Sequence, residues 1–110
     1  MVNELDALDG AQSVVLDLDC WSSRVALPPV ALDSLVAVSN DSAHTPEEMA
    51  ACLALKGLTL PPERIVLAGA TAASLLVGRR VLPLTSGSIR RLLRRLGARI
   101  DPDSPEVVLV

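Results

Sequence analysis

Asp17-Leu18-Asp19 places two carboxylates two residues apart at the end of an apolar run, Ser13-Val14-Val15-Leu16. If that run is a strand, residues i and i+2 point the same way and both acids are presented together. In open α/β sheets the carboxyl end of a strand is where ligands bind. Two neighbouring carboxylates repel and can divide labour, one ionised as a nucleophile and the other holding a proton as a general acid. With backbone oxygens they can also hold Mg²⁺. The same tripeptide fits a solvated strand end, because acids are mostly exposed. A second apolar run, Leu35-Val36-Ala37-Val38, ends in Ser39-Asn40, small polar groups suited to phosphate oxygens.

The elements that must position these residues alternate along the chain. Strands are expected over residues 13–18, 35–38, 64–67, 80–84 and 107–110, each short and continuously apolar. Pro83 cannot donate to a ladder, which points the fourth strand towards an edge. Thr45-Pro46-Glu47-Glu48 has the form of a capping box, with Met49, Cys52 and Leu53 following at helical spacing and Gly57 as the stop. A short helix is expected over residues 70–77, ended by Gly78. Another is capped by Ser86 or Ser88, with Ile89, Leu92, Leu93 and Leu96 on one face and Arg90, Arg91, Arg94 and Arg95 on the other, ending at Gly97. Strands alternating with helices define an α/β class: a single small Rossmann-like three-layer domain with a mainly parallel sheet of four or five strands.

Composition narrows the function. The chain has 110 residues, half of them hydrophobic, with Trp21 as the sole aromatic. The core must therefore be aliphatic, and aromatic platforms for stacking bases are missing, so nucleic acid is an unlikely partner. Cys20 and Cys52 form no CxxC, which argues for reduced thiols in the cytoplasm rather than a disulfide framework or a zinc site. No apolar run approaches the ~20 residues of a spanning helix, so no membrane is expected, and the acidic start MVNELDALDG lacks a signal-peptide pattern. Residues 1–55 carry nine acids and one base; residues 56–110 carry four acids and nine bases. Such a split fits either a partner surface or a dipolar domain with solvated faces.

The ordered set Asp17-Leu18-Asp19-Cys20, Pro28-Pro29, Ser39-Asn40-Asp41-Ser42, Thr45-Pro46-Glu47-Glu48 and Pro62-Glu63-Arg64-Ile65-Val66 resembles the haloacid dehalogenase (HAD) superfamily. More narrowly, it is similar to the N-terminal part of NagD-like and 4-nitrophenylphosphatase-like phosphatases; Val81 to Leu84 and Gly87 to Gly97 continue the match. Residues 1–78 resemble the N-terminal core and 79–110 the start of the cap. The resemblance implies Mg²⁺-dependent hydrolysis of small phosphorylated metabolites. Asp17 would form an aspartyl-phosphate. Asp19 would protonate the leaving oxygen and then activate water. Ser39 would bind the phosphoryl group, and Asn40 would orient phosphate or substrate. Asp17 and Asp19, the latter through its carbonyl, would hold the metal.

The chain also departs from that pattern. Cys20 stands where the family has a glycine, and the loop from Asp19 to Pro28 is short. The family's later lysine and further metal-binding acids have no match: Lys56, Asp101, Asp103 and Glu106 fit neither motif. The expectation is a shortened chain, weak or inactive alone. The alternative is a non-catalytic phosphate-binding or protein-interaction module, docking through the Arg-rich helix, with self-association or a partner chain. His44 reads as an exposed turn residue, Cys20 as an unreactive filler whose thiol the acids raise, and Trp21 as a loop anchor.

Overall fold

Short aliphatic runs build the sheets, and their register decides which side chains are buried. The computed structural model describes residues 13–22 and 34–110. The Pro28-Pro29 loop and the residues before Ser13 lie outside the described residues. β1 (Val14–Asp17) pairs in parallel with β2 (Leu35–Ser39), matching Val14 to Leu35 and Asp17 to Val38. β2 pairs in parallel with β3 (Ile65–Leu67), matching Ala37 to Ile65 and Ser39 to Leu67. One face of this sheet carries Leu35, Ala37, Ile65 and Leu67, all buried.

Between β2 and β3 runs α1 (Pro46–Leu55). Its N-terminus is fixed as the sequence suggests. Thr45 Oγ1 accepts from Glu48 N at 3.2 Å, and Thr45 N donates to Glu48 Oε1 at 2.8 Å. Such reciprocal capping contributes on the order of 1 kcal/mol. A 3₁₀ turn at Pro62–Arg64 leads into β3, and α2 (Ala68–Ser74) starts directly from its end. α2 begins and ends earlier than expected. The chain beyond Ser74 must turn back to the second sheet, where Gly78 N bonds Gly97 O.

That second sheet is β4 (Arg80–Pro83), flanked in parallel by β5 (Arg99–Ile100) and β6 (Val107–Leu109). The α/β class and the parallel pairing agree with the sequence reading. The strands, however, divide between two three-stranded sheets where one sheet of four or five was expected, and the division falls between Leu67 and Arg80. β4 is central rather than at an edge. Pro83 is tolerated there because residues 79 and 81 face β5 through their carbonyls, which accept from Arg99 N and Asp101 N. Pro83 points to that same side, where β5 has already ended at Ile100, so its missing N–H falls beyond the β4–β5 pairing. β5 escaped the sequence reading because two residues are too short for a periodic signal.

α3 (Gly87–Arg95) is capped by Ser86, whose Oγ accepts from Ile89 N at 3.2 Å. It buries Ile89, Leu92 and Leu93, and Gly97 ends it at φ 94°, a left-handed conformation that favours glycine. The buried faces of both sheets and all three helices meet in one core of Leu, Ile, Val and Ala. Trp21 packs against this core as an anchor, with its Nε1 buried and unpartnered among the described residues. Two side-chain bonds join the parts: Ser88 Oγ to Glu48 Oε2 at 2.9 Å, and Ser86 Oγ to Ala43 O. No helix among the described residues is long and apolar enough to cross a membrane.

Gly69 marks the tightest approach. A Cβ there would lie 2.8 Å from the backbone of Ser42. Alanine normally stabilises a helix over glycine by ~0.5–1 kcal/mol, but overpacking against backbone costs ~1–3 kcal/mol. Gly69→Ala should therefore lower the melting temperature, by roughly 5–10 °C for a domain of this size. Thermal unfolding followed by circular dichroism checks this; an unchanged or higher midpoint contradicts the close contact.

Candidate active site

The carboxyl ends of β1, β2 and β3 open into a cavity of about 490 Å³ lined by Asp17, Asp19, Val38, Ser39, Asn40, Val66, Ala68 and Thr71. All four residues singled out from the sequence converge there. The way the two acids meet differs from expectation. β1 ends at Asp17, so the pleat does not align Asp19 with it. Instead, Leu18 to Cys20 form a turn in which Asp19 N donates to Asp17 Oδ1 at 3.0 Å and Cys20 N donates to Asp17 O at 3.2 Å. An aspartate bonding the backbone two residues on is a self-contained turn former.

Asp19 is in turn held by the end of β2. Ser39 Oγ donates to Asp19 Oδ1 at 3.0 Å, and Asn40 N reaches Asp19 Oδ2 at 3.4 Å. Ser39 Oγ accepts from Asp41 N at 3.0 Å. The serine hydroxyl is therefore engaged with Asp19 as donor and with Asp41 N as acceptor. Val66, Ala68 and Thr71 were not foreseen. They enter because α2 springs straight from β3, and the Ala/Thr-rich composition of that helix was the only trace of it.

The Asp17 carboxylate and the Asp19 backbone carbonyl are hard oxygen donors, the kind that Mg²⁺ takes beside waters and a substrate phosphate. They fit that mode as a pair. Among the described residues no group of three or more His, Cys, Asp and Glu side chains could enclose a metal by itself.

The neighbouring side chains have settled roles. The Asp17 carboxylate, by repulsion and by a 3.6 Å contact from Cys20 Sγ, pushes the Cys20 thiol above its ordinary range, which leaves it a poor nucleophile. Arg90 donates to Pro83 O, Arg91 to Ser88 Oγ, and Arg95 approaches Glu47 at 3.6 Å, so three of the four helix arginines have intramolecular partners. Asp101 Oδ1 accepts from Asp103 N and Ser104 N, and Glu106 pairs with Arg79 and Arg80.

His44 is exposed as expected, but it has an acid partner that the sequence reading missed. Its Nδ1 lies 2.8 Å from Asp41 Oδ2. The spacing of three residues across a turn was the available signal.

Comparison with protein-family models and with curated proteins gives no match. Among solved structures, the chain is similar to a 4-nitrophenylphosphatase from Thermotoga maritima, with a TM-score of 0.72 at 20% identity, over 92% of this chain and 44% of that one. It is similar to NagD from E. coli K-12, with a TM-score of 0.70 at 22% identity, over 88% of this chain and 44% of that one. A glycerol phosphate phosphatase from Mycobacterium tuberculosis, solved with calcium, gives 0.64 at 27% identity, over 86% of this chain and 33% of that one. The same phosphatase is also solved with magnesium. The chain thus has the Rossmann-like α/β fold of the NagD and 4-nitrophenylphosphatase structures in the HAD superfamily. It spans less than half of their length, as an N-terminal portion does.

The His44–Asp41 pair has a pH signature. The bond to Asp41 raises the imidazole above 6.5. Partial burial works to raise Asp41, but the His44 ring and the Ala43 and His44 N–H groups outweigh it and hold the carboxyl below 3.8. Histidine stabilisation is present below its unfolded value and lost as pH rises through the folded one. Aspartate stabilisation is present above its unfolded value and lost as pH falls through the folded one. The pair therefore supports the loop most between these two ordinary values. His44 is the only histidine, so its ring resonances titrate alone in NMR. The midpoint should lie above 6.5 and drop towards it in Asp41→Asn; the same midpoint in both proteins would refute the pairing.

Proposed function

We propose that the chain carries the nucleophile and phosphate-facing part of a HAD-type phosphate-monoester hydrolase. The observation that supports this most is the convergence of Asp17, Asp19, Ser39 and Asn40 on one cavity at the ends of three parallel strands. Asp17 Oδ1 is held by Asp19 N, which leaves Oδ2, with its long Cys20 contact among the described residues, as the attacking oxygen. Oδ2 forms a bond to phosphorus as the ester P–O bond breaks, and the leaving oxygen takes a proton from Asp19. Asp19, now ionised, removes a proton from water. That water attacks phosphorus, breaks the Asp17–phosphoryl bond and releases inorganic phosphate. Ser39 Oγ and Asn40 N, already directed at Asp19, are placed to donate to phosphoryl oxygens as they turn from it. The Asp17 carboxylate and the Asp19 backbone carbonyl would hold Mg²⁺, which would supply neutralisation of phosphate charge.

The substrate class is small phosphorylated metabolites, and the location is cytoplasmic, in keeping with the free thiols of Cys20 and Cys52. Turnover by this chain alone is slow. Phosphoryl transfer depends on positive charge around the phosphate, and the described residues lining the cavity include two acids and no cation. The test is Mg²⁺-dependent hydrolysis of 4-nitrophenyl phosphate and a panel of phosphate monoesters. Asp17→Asn should cut the rate by ~10²-fold or more. Trifluoroberyllate, which mimics a phosphoryl group on aspartate, should give a bound ¹⁹F signal that Asp17→Asn removes. Turnover and signal that are both insensitive to Asp17 would sink the proposal.

A further inference from the structure

Away from the strand ends, a second cavity of about 290 Å³ lies between the start of α1 and one face of α3. It is lined by Thr45, Glu48, Ser88, Arg91, Leu92 and Arg95, and shares no residue with the cavity that holds Asp17 and Asp19. Ser88, Arg91, Leu92 and Arg95 follow the spacing that puts residues on one helix face. The charges in the cavity are unequal. Glu48 is the one acid among these lining residues, and both of its oxygens are taken: Oε1 by Thr45 N at 2.8 Å and Oε2 by Ser88 Oγ at 2.9 Å. The two arginines are not balanced in this way. Arg91 Nη2 donates to the neutral Ser88 hydroxyl at 3.3 Å. Arg95 Nη2 approaches Glu47 Oε1 at 3.6 Å, between side chains that are both more than half exposed, and such a pair contributes little. Each guanidinium is a planar fork of several N–H donors, so most of them have no acceptor among the described residues. Arg91 is also held in place. Its head folds back over the first turn of α3, so near that a Cβ at Gly87 would stand 3.3 Å from Arg91 Nη1.

We propose that this cavity binds a phosphoryl group, with Arg91 and Arg95 as its two forks and Leu92 beside the group's organic stem. A tetrahedral phosphoryl group offers terminal oxygens in different directions and can take a fork from each arginine at once, whereas the two oxygens of a carboxylate lie in one plane and suit a single fork. The anion supplies the counter-charge that Glu48 does not, because both Glu48 oxygens are already committed to Thr45 and Ser88. A fork that is already folded into position loses less freedom on binding. The occupant bridges α1 and α3, the helices that the Ser88–Glu48 bond joins, so it stabilises the folded chain by mass action. The site stands whether or not Asp17 performs chemistry.

The test titrates the ¹⁵N-labelled full chain with inorganic phosphate and with propylphosphonate at constant ionic strength, following the arginine Nε–Hε resonances. Expected are saturating shifts of Arg91 and Arg95, with Arg94, which does not line the cavity, unmoved. Arg91→Gln should weaken binding by ~10-fold or more, the loss of a charge-assisted hydrogen bond. Arg91→Lys, which keeps the charge without the fork, should not restore it. Arg94→Gln removes the same charge from the same helix and should leave binding unchanged, and the Arg91 and Arg95 shifts should persist in Asp17→Asn. Tighter binding of propylphosphonate assigns the site to a phosphoryl group on an organic stem; equal or tighter binding of phosphate assigns it to the free ion. Four results overturn the proposal: no saturable shift, shifts shared equally by Arg94, equal weakening by Arg94→Gln, or shifts lost in Asp17→Asn.

Discussion

The loop after β2 turns on Asp41, and every polar group that this residue owns is engaged. Its N–H donates to Ser39 Oγ, its carbonyl accepts from Gly69 N, and its carboxylate takes Ala43 N, His44 N and the His44 ring. Through Ser39 it reaches Asp19, and through Asp19 N the turn that holds Asp17. Through Gly69 it fixes the start of α2 against the cavity. Two residues on, Ala43 O takes the Ser86 hydroxyl, and Thr45 opens the capping box whose Glu48 binds Ser88. The second sheet and the site are therefore tied to the same few residues. Each bond is worth only about 1 kcal/mol net, but together they tie the loop at several points.

That dependence suits a domain with an aliphatic core. Leu, Ile, Val and Ala side chains bury well but carry no directional contacts, so burial alone does not set the position of a loop. The core fixes which faces of the strands point inward. Hydrogen bonds at strand ends and helix caps fix where the carboxylates stand. Gly69 shows how close the two systems come, since the helix can approach the loop only without a Cβ.

The sequence was most legible where a local rule has a physical cause confined to a few residues. Thr45 and Glu48 cap one another within one turn, and Ser86 caps α3, so both helices were readable. The convergence of Asp17, Asp19, Ser39 and Asn40 was readable because the strand ends that carry them follow from apolar runs. The division into two sheets was not readable, because nothing local distinguishes a strand that joins one sheet from a strand that starts another. The position of Pro83 shows the same limit: its edge character is real for one side of one residue, while the strand around it is central. The Asp17–Asp19 turn was misread as a pleat because the alternation rule and the aspartate turn both bring residues i and i+2 together.

The acid-rich lining of the site follows from its place in the sheet. Among the described residues α1 and α2 gather on one face of the β1–β2–β3 sheet, and β1 pairs with β2. The carboxyl end of such a strand is where an open α/β sheet binds ligands. Among the described residues the walls of the site are Ser39 and Asn40 at the end of β2, and Val66, Ala68 and Thr71 from β3 and α2. Among these described residues no cation stands beside the acids, so Asp17 and Asp19 face small polar and aliphatic groups.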